Sequence, residues 1–453
     1  MKEEPGGRES VPDDARGFRR ALGPFDATMV VVGGIIGAGI FINPYIVAQR
    51  LDSAGLVLAA WIAGGGIALA GAFSFAELGS LFPQAGGQYV YLRRAFHPVV
   101  GFLFGWALLF MIEGGAMAAI AITFAQYTLR FLGRDVASAP LAVSAIALVA
   151  AVNYFGVKPG SRLLNVFVVL KIVALAVLIA AGALVPAGTA PAPAAPALSG
   201  SVLAAFGAAL IPVMFSYGGW QKANQVAEEI RRPRRDLPLA IVAGTVFVVV
   251  VYLLVNLAYL RALGRDGLAA TLTPAADTAR LVFGERGDRL IALGIAISTF
   301  GYLNLSVLAP TRVYFAMAAD GIFFRSVSKL HPRFRTPSVA IVMQATWAIA
   351  LTLTGTFAQL IDTVVFADWI FFGLTAAAVF VFRRRIPLGR RPDGSFRTPG
   401  YPWLPALFVV AAMVIVISVL VSNPVRSGVG ALLLATGLPA WLWWRRRNPG
   451  SEA

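Results

Sequence analysis

Four ionisable side chains interrupt stretches of sequence that are otherwise apolar: Glu113, Lys171, Lys222 and Asp368. At a helical rise of about 1.5 Å per residue, Glu113 and Lys171 fall near the middle of their segments. A charge at that depth costs several kcal/mol and is a functional candidate by default. A carboxyl at Glu113 suits proton carriage or pairing with an ammonium such as that of Lys171. A lysine at 171 suits bonding to carbonyls that a break in a neighbouring helix leaves free. Asp368, beside Trp369, is placed for a gate or for the outer surface, and Lys222 for an inner vestibule.

A second group works through its backbone. One segment reads Val32-Gly33-Gly34-Ile35-Ile36-Gly37-Ala38-Gly39-Ile40-Phe41, and another reads Phe215-Ser216-Tyr217-Gly218-Gly219-Trp220. Glycine lets the chain leave a helix without a Cβ penalty. Chemistry by nucleophile or metal finds no support. There are no cysteines, and the two histidines, His97 and His331, stand beside prolines without metal spacing. No phosphate loop, zinc ligand set or catalytic triad is present, so neither an enzyme nor a bound cofactor is expected.

The elements that must position these residues are membrane helices. Of 453 residues, 58% are hydrophobic and 13% charged, with a mean hydropathy of +0.76. A soluble domain carries about twice that charge. A bilayer core about 30 Å thick takes about 20 apolar residues per helix. Such runs cover 25–49, 55–80, 99–129, 139–156, 162–186, 201–229, 238–260, 290–317, 338–356, 360–382, 402–422 and 428–444. The fold class expected is all-α integral membrane with twelve transmembrane helices. Met1–Leu22 is charged and lacks an apolar core, so it is read as a tail and not as a cleaved signal.

The formal charge of +16 would suit nucleic acid in a soluble chain. Here 27 of the 38 Lys and Arg residues lie on the side of the N-terminus, nine on the other, and two within spans. Positive charge collects on the cytoplasmic side of membrane proteins. The excess is therefore topological, no nucleic acid partner is implied, and both termini are placed in the cytoplasm of a multi-pass cell-membrane protein. Lipid is the expected surrounding, and the lack of cysteine excludes a disulfide-linked partner subunit.

The two glycine-broken spans stand first and sixth. An offset of five gives them opposite orientation, the mark of an inverted-repeat transporter. Isolated small-residue clusters such as Gly64-Gly65-Gly66 are read as helix packing instead. The expected division is a tail at 1–24, a five-helix repeat at 25–186, its inverted copy at 201–382, two peripheral helices at 402–444, and a tail at 445–453. The uncharged Ala/Pro segment 187–200 joins the repeats.

Several motifs in order resemble the amino acid–polyamine–organocation superfamily, and within it the bacterial relatives of L-type amino acid transporters. They are Gly37-Ala38-Gly39-Ile40-Phe41; Ala76-Glu77-Leu78-Gly79 with Pro83, Gly86, Gly87 and Tyr89; Phe215 to Trp220 followed by Glu228-Glu229 and Pro233; and Arg397-Thr398-Pro399-Gly400-Tyr401-Pro402. The resemblance spans essentially the whole chain. It implies a ten-helix inverted-repeat core of the kind called LeuT-like, helices 11 and 12 outside it, and alternating access with an amino acid as cargo.

A zwitterion needs donors for its carboxylate and acceptors for its ammonium. A helix N-terminus offers free N–H groups and a positive dipole end, and a helix C-terminus offers free carbonyls. The carboxylate is thus assigned to Gly37, Ala38 and Gly39, and the ammonium to carbonyls of Ile35, Phe215 and Gly218. The resemblance carries the same roles to these positions, and carries Lys171 to a lysine that replaces a bound cation at the bend. Ala38 stands where many relatives have serine. Phe215 is read as a gate over the cargo, and Gly114, Gly115 and Trp369 as the side-chain pocket. Glu77, Glu228 and Glu229 are placed near Arg93, Arg94 and Arg231–Arg235 at the inner helix ends. The expected function is a secondary facilitator or antiporter of neutral L-amino acids. The alternatives are proton- or sodium-coupled symport, transport of a polyamine or other organic cation, and a channel or a transceptor that binds without transport.

Overall fold

The computed structural model describes residues 18–186, 201–284, 286–354, 357–422 and 424–447. The connector expected at 187–200, residues 1–17 of the N-terminal tail and 448–453 of the C-terminal tail lie outside the described residues. Among the described residues the chain is helical, with one backbone bridge between Leu22 and Ile230 and no strand.

The first apolar run forms two helices, α1 (Pro24–Ile35) and α2 (Gly39–Arg50), bent by 41° at the glycine-rich break. Then come α3 (Ala54–Leu81), α4 (Gln88–Ala95), α5 (Pro98–Ala107) and α6 (Gly114–Leu132), with a π-helical turn at Leu108–Glu113 between the last two. They are followed by α7 (Ala139–Tyr154), α8 (Val157–Leu184), α9 (Val202–Tyr217) and α10 (Lys222–Gln225). Next are α11 (Pro233–Ala270), α12 (Pro274–Phe283), α13 (Arg286–Leu308), α14 (Thr311–Ala319), α15 (Ser338–Thr354) and α16 (Phe357–Arg385). The chain ends in α17 (Trp403–Ser422), α18 (Pro424–Ala435) and α19 (Gly437–Arg447).

Nine helical stretches are long and apolar enough to cross a bilayer, and α1 with α2 adds a tenth as a bent pair. The shorter apolar helices α7 and α15 bring the apolar segments to twelve among the described residues. The protein is therefore a multi-pass membrane protein. Expected and observed boundaries differ where charge ends an apolar run but not a helix. The run 238–260 stops at Arg261, whereas α11 continues to Ala270 with a turn at Gly264, whose φ is 69°. Backbone hydrogen bonding does not require apolar side chains. The reverse holds for 201–229, where the helix stops at Tyr217 and beyond the break only the four residues of α10 and a 3-10 turn at Ala227–Glu229 are helical.

Two packed groups make the body. Helices α1, α2, α3, α9 and α11 contact one another, and α6, α7, α13 and α15 form the other group. Helix α8 touches members of both, and α16 lies against α3, α6 and α17. The two broken helices, both in the first group, meet backbone to backbone. A Cβ on Gly219, whose φ is 124°, would fall 2.0 Å from the Gly34 carbonyl oxygen, and one on Gly34 would fall 2.5 Å from that of Gly219. Only glycine at both positions permits this crossing. Asn43 of α2 ties the same pair together, donating to the Ser216 hydroxyl at 2.7 Å and the Pro212 carbonyl at 2.9 Å.

Candidate functional site

Between the two breaks lies a cavity of about 330 Å³. Ile35, Gly37, Ala38, Gly39, Phe215, Gly218, Trp369 and Glu113 all line it, together with Lys222, Asp368 and Tyr302. Gly115 is on its wall, whereas Gly114 packs against the Trp347 indole and is not among the lining residues. Phe215 is half exposed at the wall.

The break in the first pair exposes both kinds of backbone group. Ala38 caps α2 without a side-chain bond, and Phe41 N–H donates to the Ala38 carbonyl at 3.1 Å. Helix geometry leaves the N–H groups of Ala38, Gly39 and Ile40 without an intrahelical acceptor. On the other side of the break the carbonyls have protein donors. Ile35 accepts from the Tyr252 hydroxyl at 3.0 Å, and Gly37 from the Ser298 hydroxyl at 3.5 Å. Each carbonyl oxygen keeps a second lone pair. In the other broken helix the Phe215 carbonyl accepts from Gly218 N–H at 3.4 Å, and Gly219 N–H donates to Gln221 Oε1 at 2.9 Å.

Lys171 is fully buried behind the break, outside the cavity lining. Its ammonium donates to the Ile36 carbonyl at 2.6 Å and to that of Gly33 at 3.4 Å. It sits on α8 and reaches α1 because the two helices pack directly. The α1 end is thus bonded by the Lys171 side chain.

Glu113 does not meet Lys171. Its Oε1 is bonded by the ammonium of Lys222, the first residue of α10, and its Oε2 is buried without a partner. Lys222 also faces the Ser306 hydroxyl at 3.4 Å and lies 5.1 Å from the centroid of the Tyr302 ring. The break at Gly218–Gln221 turns the chain so that Lys222 lines the cavity. Glu113 itself ends the π-helical turn, a local form that often marks functional positions. Sequence spacing could not assign this pair, since 109 residues separate the partners. The usable signal was that the break takes one of the two buried lysines, Lys171, and leaves Lys222 for the acids of the cavity.

Beneath the cavity, at the helix ends carrying most basic residues, the acids find partners other than those expected, and two of the pairings are buried. Glu77 accepts from Arg383 at 2.9 and 2.7 Å, from Arg391 at 2.8 Å and from Thr398 N–H at 2.8 Å. Glu229 meets Arg312 at 2.6 Å, both about 1% exposed. Glu228 accepts from the N–H groups of Ala85 at 2.9 Å and Phe18 at 3.4 Å. Arg93 pairs with Asp320, which also accepts from the Tyr89 hydroxyl at 2.6 Å. Burial, and then the Asp320 charge, push the Tyr89 phenol well above its ordinary pKa. Glu77 and Glu229 thus pair with Arg383, Arg391 and Arg312 in place of Arg93, Arg94 and Arg231–Arg235. Such pairs must be fully hydrogen-bonded to persist at low dielectric.

The protein family model for amino acid permeases matches residues 22–443. The chain is 29% identical over 437 residues to the serine/threonine exchanger SteT of Bacillus subtilis, covering 95% of this chain and 98% of that one. It is 29% identical to the human b(0,+)-type amino acid transporter 1, over 90% of this chain and 84% of the relative. The human large neutral amino acids transporter small subunit 2 is 30% identical over 98% and 86%. On this match, which covers nearly the whole chain, the protein belongs to the amino acid permease family.

Proposed function

We propose that the protein is a secondary amino acid carrier, a facilitator or antiporter, that holds its cargo between the two broken helices. One observation supports this above others: both breaks face one cavity while Lys171 occupies the α1 carbonyls. In this reading the cargo carboxylate takes the N–H groups of Gly37, Ala38 and Gly39, next to the positive end of α2. The ammonium takes free lone pairs at Ile35, Phe215 and Gly218. Phe215 closes over the cargo and Trp369 lines the side-chain end. The twelve apolar segments are twelve spans in a 5+5 inverted repeat, 25–186 and 201–382, with 402–444 outside it. Both termini are cytoplasmic.

With that orientation the cavity is open outward. Its wall continues along Ala116, Ala119, Ile120 and Thr123 toward the outer end of α6, while the buried ion pairs seal the inner side. Neutral L-amino acids are the cargo class. Ile42, Ile112, Ile120, Met214 and Phe372 make the wall largely apolar. Lys222 neutralises Glu113, one of the two acids on which an organic-cation reading rested. The Lys171 ammonium speaks against sodium at the bend. Counterflow in proteoliposomes tests the function: unlabelled internal amino acid should accelerate entry of labelled amino acid without sodium. No uptake of any amino acid would end this reading.

A further inference from the structure

The proposed amino acid site contains an acceptor that no donor satisfies. Glu113 is about 4% exposed, Lys222 holds its Oε1, and its buried Oε2 has no partner. Lys222 has little left to offer a cargo, because its ammonium already faces Glu113, the Ser306 hydroxyl and the Tyr302 ring. Asp368 adds a second carboxylate to the same wall, within electrostatic reach of Glu113 and Lys222. Glu113 Oε2 and the Asp368 carboxyl thus stand as two acceptors at this wall, beside the Tyr302 hydroxyl.

An aliphatic side chain there would leave Oε2 buried and unpaired. A site built around such a group rejects analogues lacking the matching polar atom far more strongly than it rejects a missing methyl. An anionic side chain would face two carboxylates. A cationic one could turn only to Asp368, because Glu113 already carries the Lys222 ammonium and like charges that close disfavour each other. A neutral donor satisfies Oε2 without adding charge, and its stem suits the apolar wall.

We infer, on the amino acid reading above, that the site selects neutral amino acids whose side chain carries a hydroxyl or a carboxamide, donating to Glu113 Oε2. The discriminating comparison uses near-isosteres: threonine against valine, and asparagine against leucine. Affinities would be measured by calorimetry on the purified full-length wild-type protein. Threonine and asparagine should each bind at least about tenfold more tightly than the partner. In E113Q the carboxamide can keep accepting from Lys222 while turning an N–H toward the cavity, so that preference should collapse. Equal or better binding of valine and leucine would overturn the inference and leave the amino acid site standing. Tighter binding of ornithine or lysine than of asparagine would overturn it in favour of a cationic cargo. An unchanged preference in a folded E113Q would place the selecting group elsewhere. Failure of all free amino acids to bind would instead remove the amino acid reading beneath it.

Discussion

Lys171 and Lys222 are both buried cations, yet their surroundings give them different work. Lys171 bonds only backbone at the α1 end, so its removal should act through the shape of the break. In Lys171→Ala the Ile36 and Gly33 carbonyls lose their donor, at about 1–3 kcal/mol for each buried group left unpaired. Falling on the bound state, that loss lowers cargo affinity about tenfold or more. Equilibrium binding should show it, with wild-type uptake unchanged when sodium is replaced by choline. An unchanged affinity, or a wild type that needs sodium, would defeat the tethered-cation role. The position of Lys171 was legible from depth alone, because a midplane ammonium must find acceptors and a broken helix provides them. The partner of Glu113 was not. Two lysines were available, and the choice depends on where the irregular residues 218–221 turn the chain, which no local propensity encodes.

At the scale of elements, the breaks themselves were readable because two glycine clusters recur at matching places five runs apart, whereas a lone cluster such as Gly64-Gly65-Gly66 stays helical within α3. What the sequence concealed was why the glycines pair. Gly34 and Gly219 are 185 positions apart, and only the crossing of α1 with the second break makes each necessary for the other. A Gly219→Ala exchange would put Cβ 2.0 Å from the Gly34 oxygen, a contact that backbone cannot relieve cheaply. Transport by that variant should be lost while membrane insertion persists, since insertion depends on apolar length. Normal uptake at normal expression would contradict the crossing. The inner ion pairs were hidden for a related reason. Glu77 and Arg383 lie 306 positions apart, and their meeting depends on α3 and α16 packing together. The π-helical turn before α6 had no signal either, as Leu108–Glu113 reads like any apolar helix.

On the proposed reading, twelve apolar segments, a charge bias and two opposed breaks make a carrier open on one side and sealed on the other. The absence of cysteine makes access directly measurable, because each introduced thiol reports alone. Thiols at Ala119 and Thr123, on the outer cavity wall, should react with a membrane-impermeant reagent added outside intact cells, and cargo should slow the reaction. One at Ser306, beside Lys222 below the cavity, should stay unlabelled from that side. The opposite pattern would invert the orientation assigned from charge.

The central claim is that backbone groups at the two breaks recognise both ends of an amino acid backbone. Thermal stabilisation of the purified protein by one amino acid in three forms tests it: free, as the methyl ester, and N-acetylated. The account predicts that the free form raises the melting temperature at millimolar concentration, while both capped forms at the same concentration raise it little or not at all. Equal stabilisation by the ester would contradict the carboxylate site at Gly37–Gly39. Equal stabilisation by the acetylated form would contradict the ammonium site at Ile35, Phe215 and Gly218.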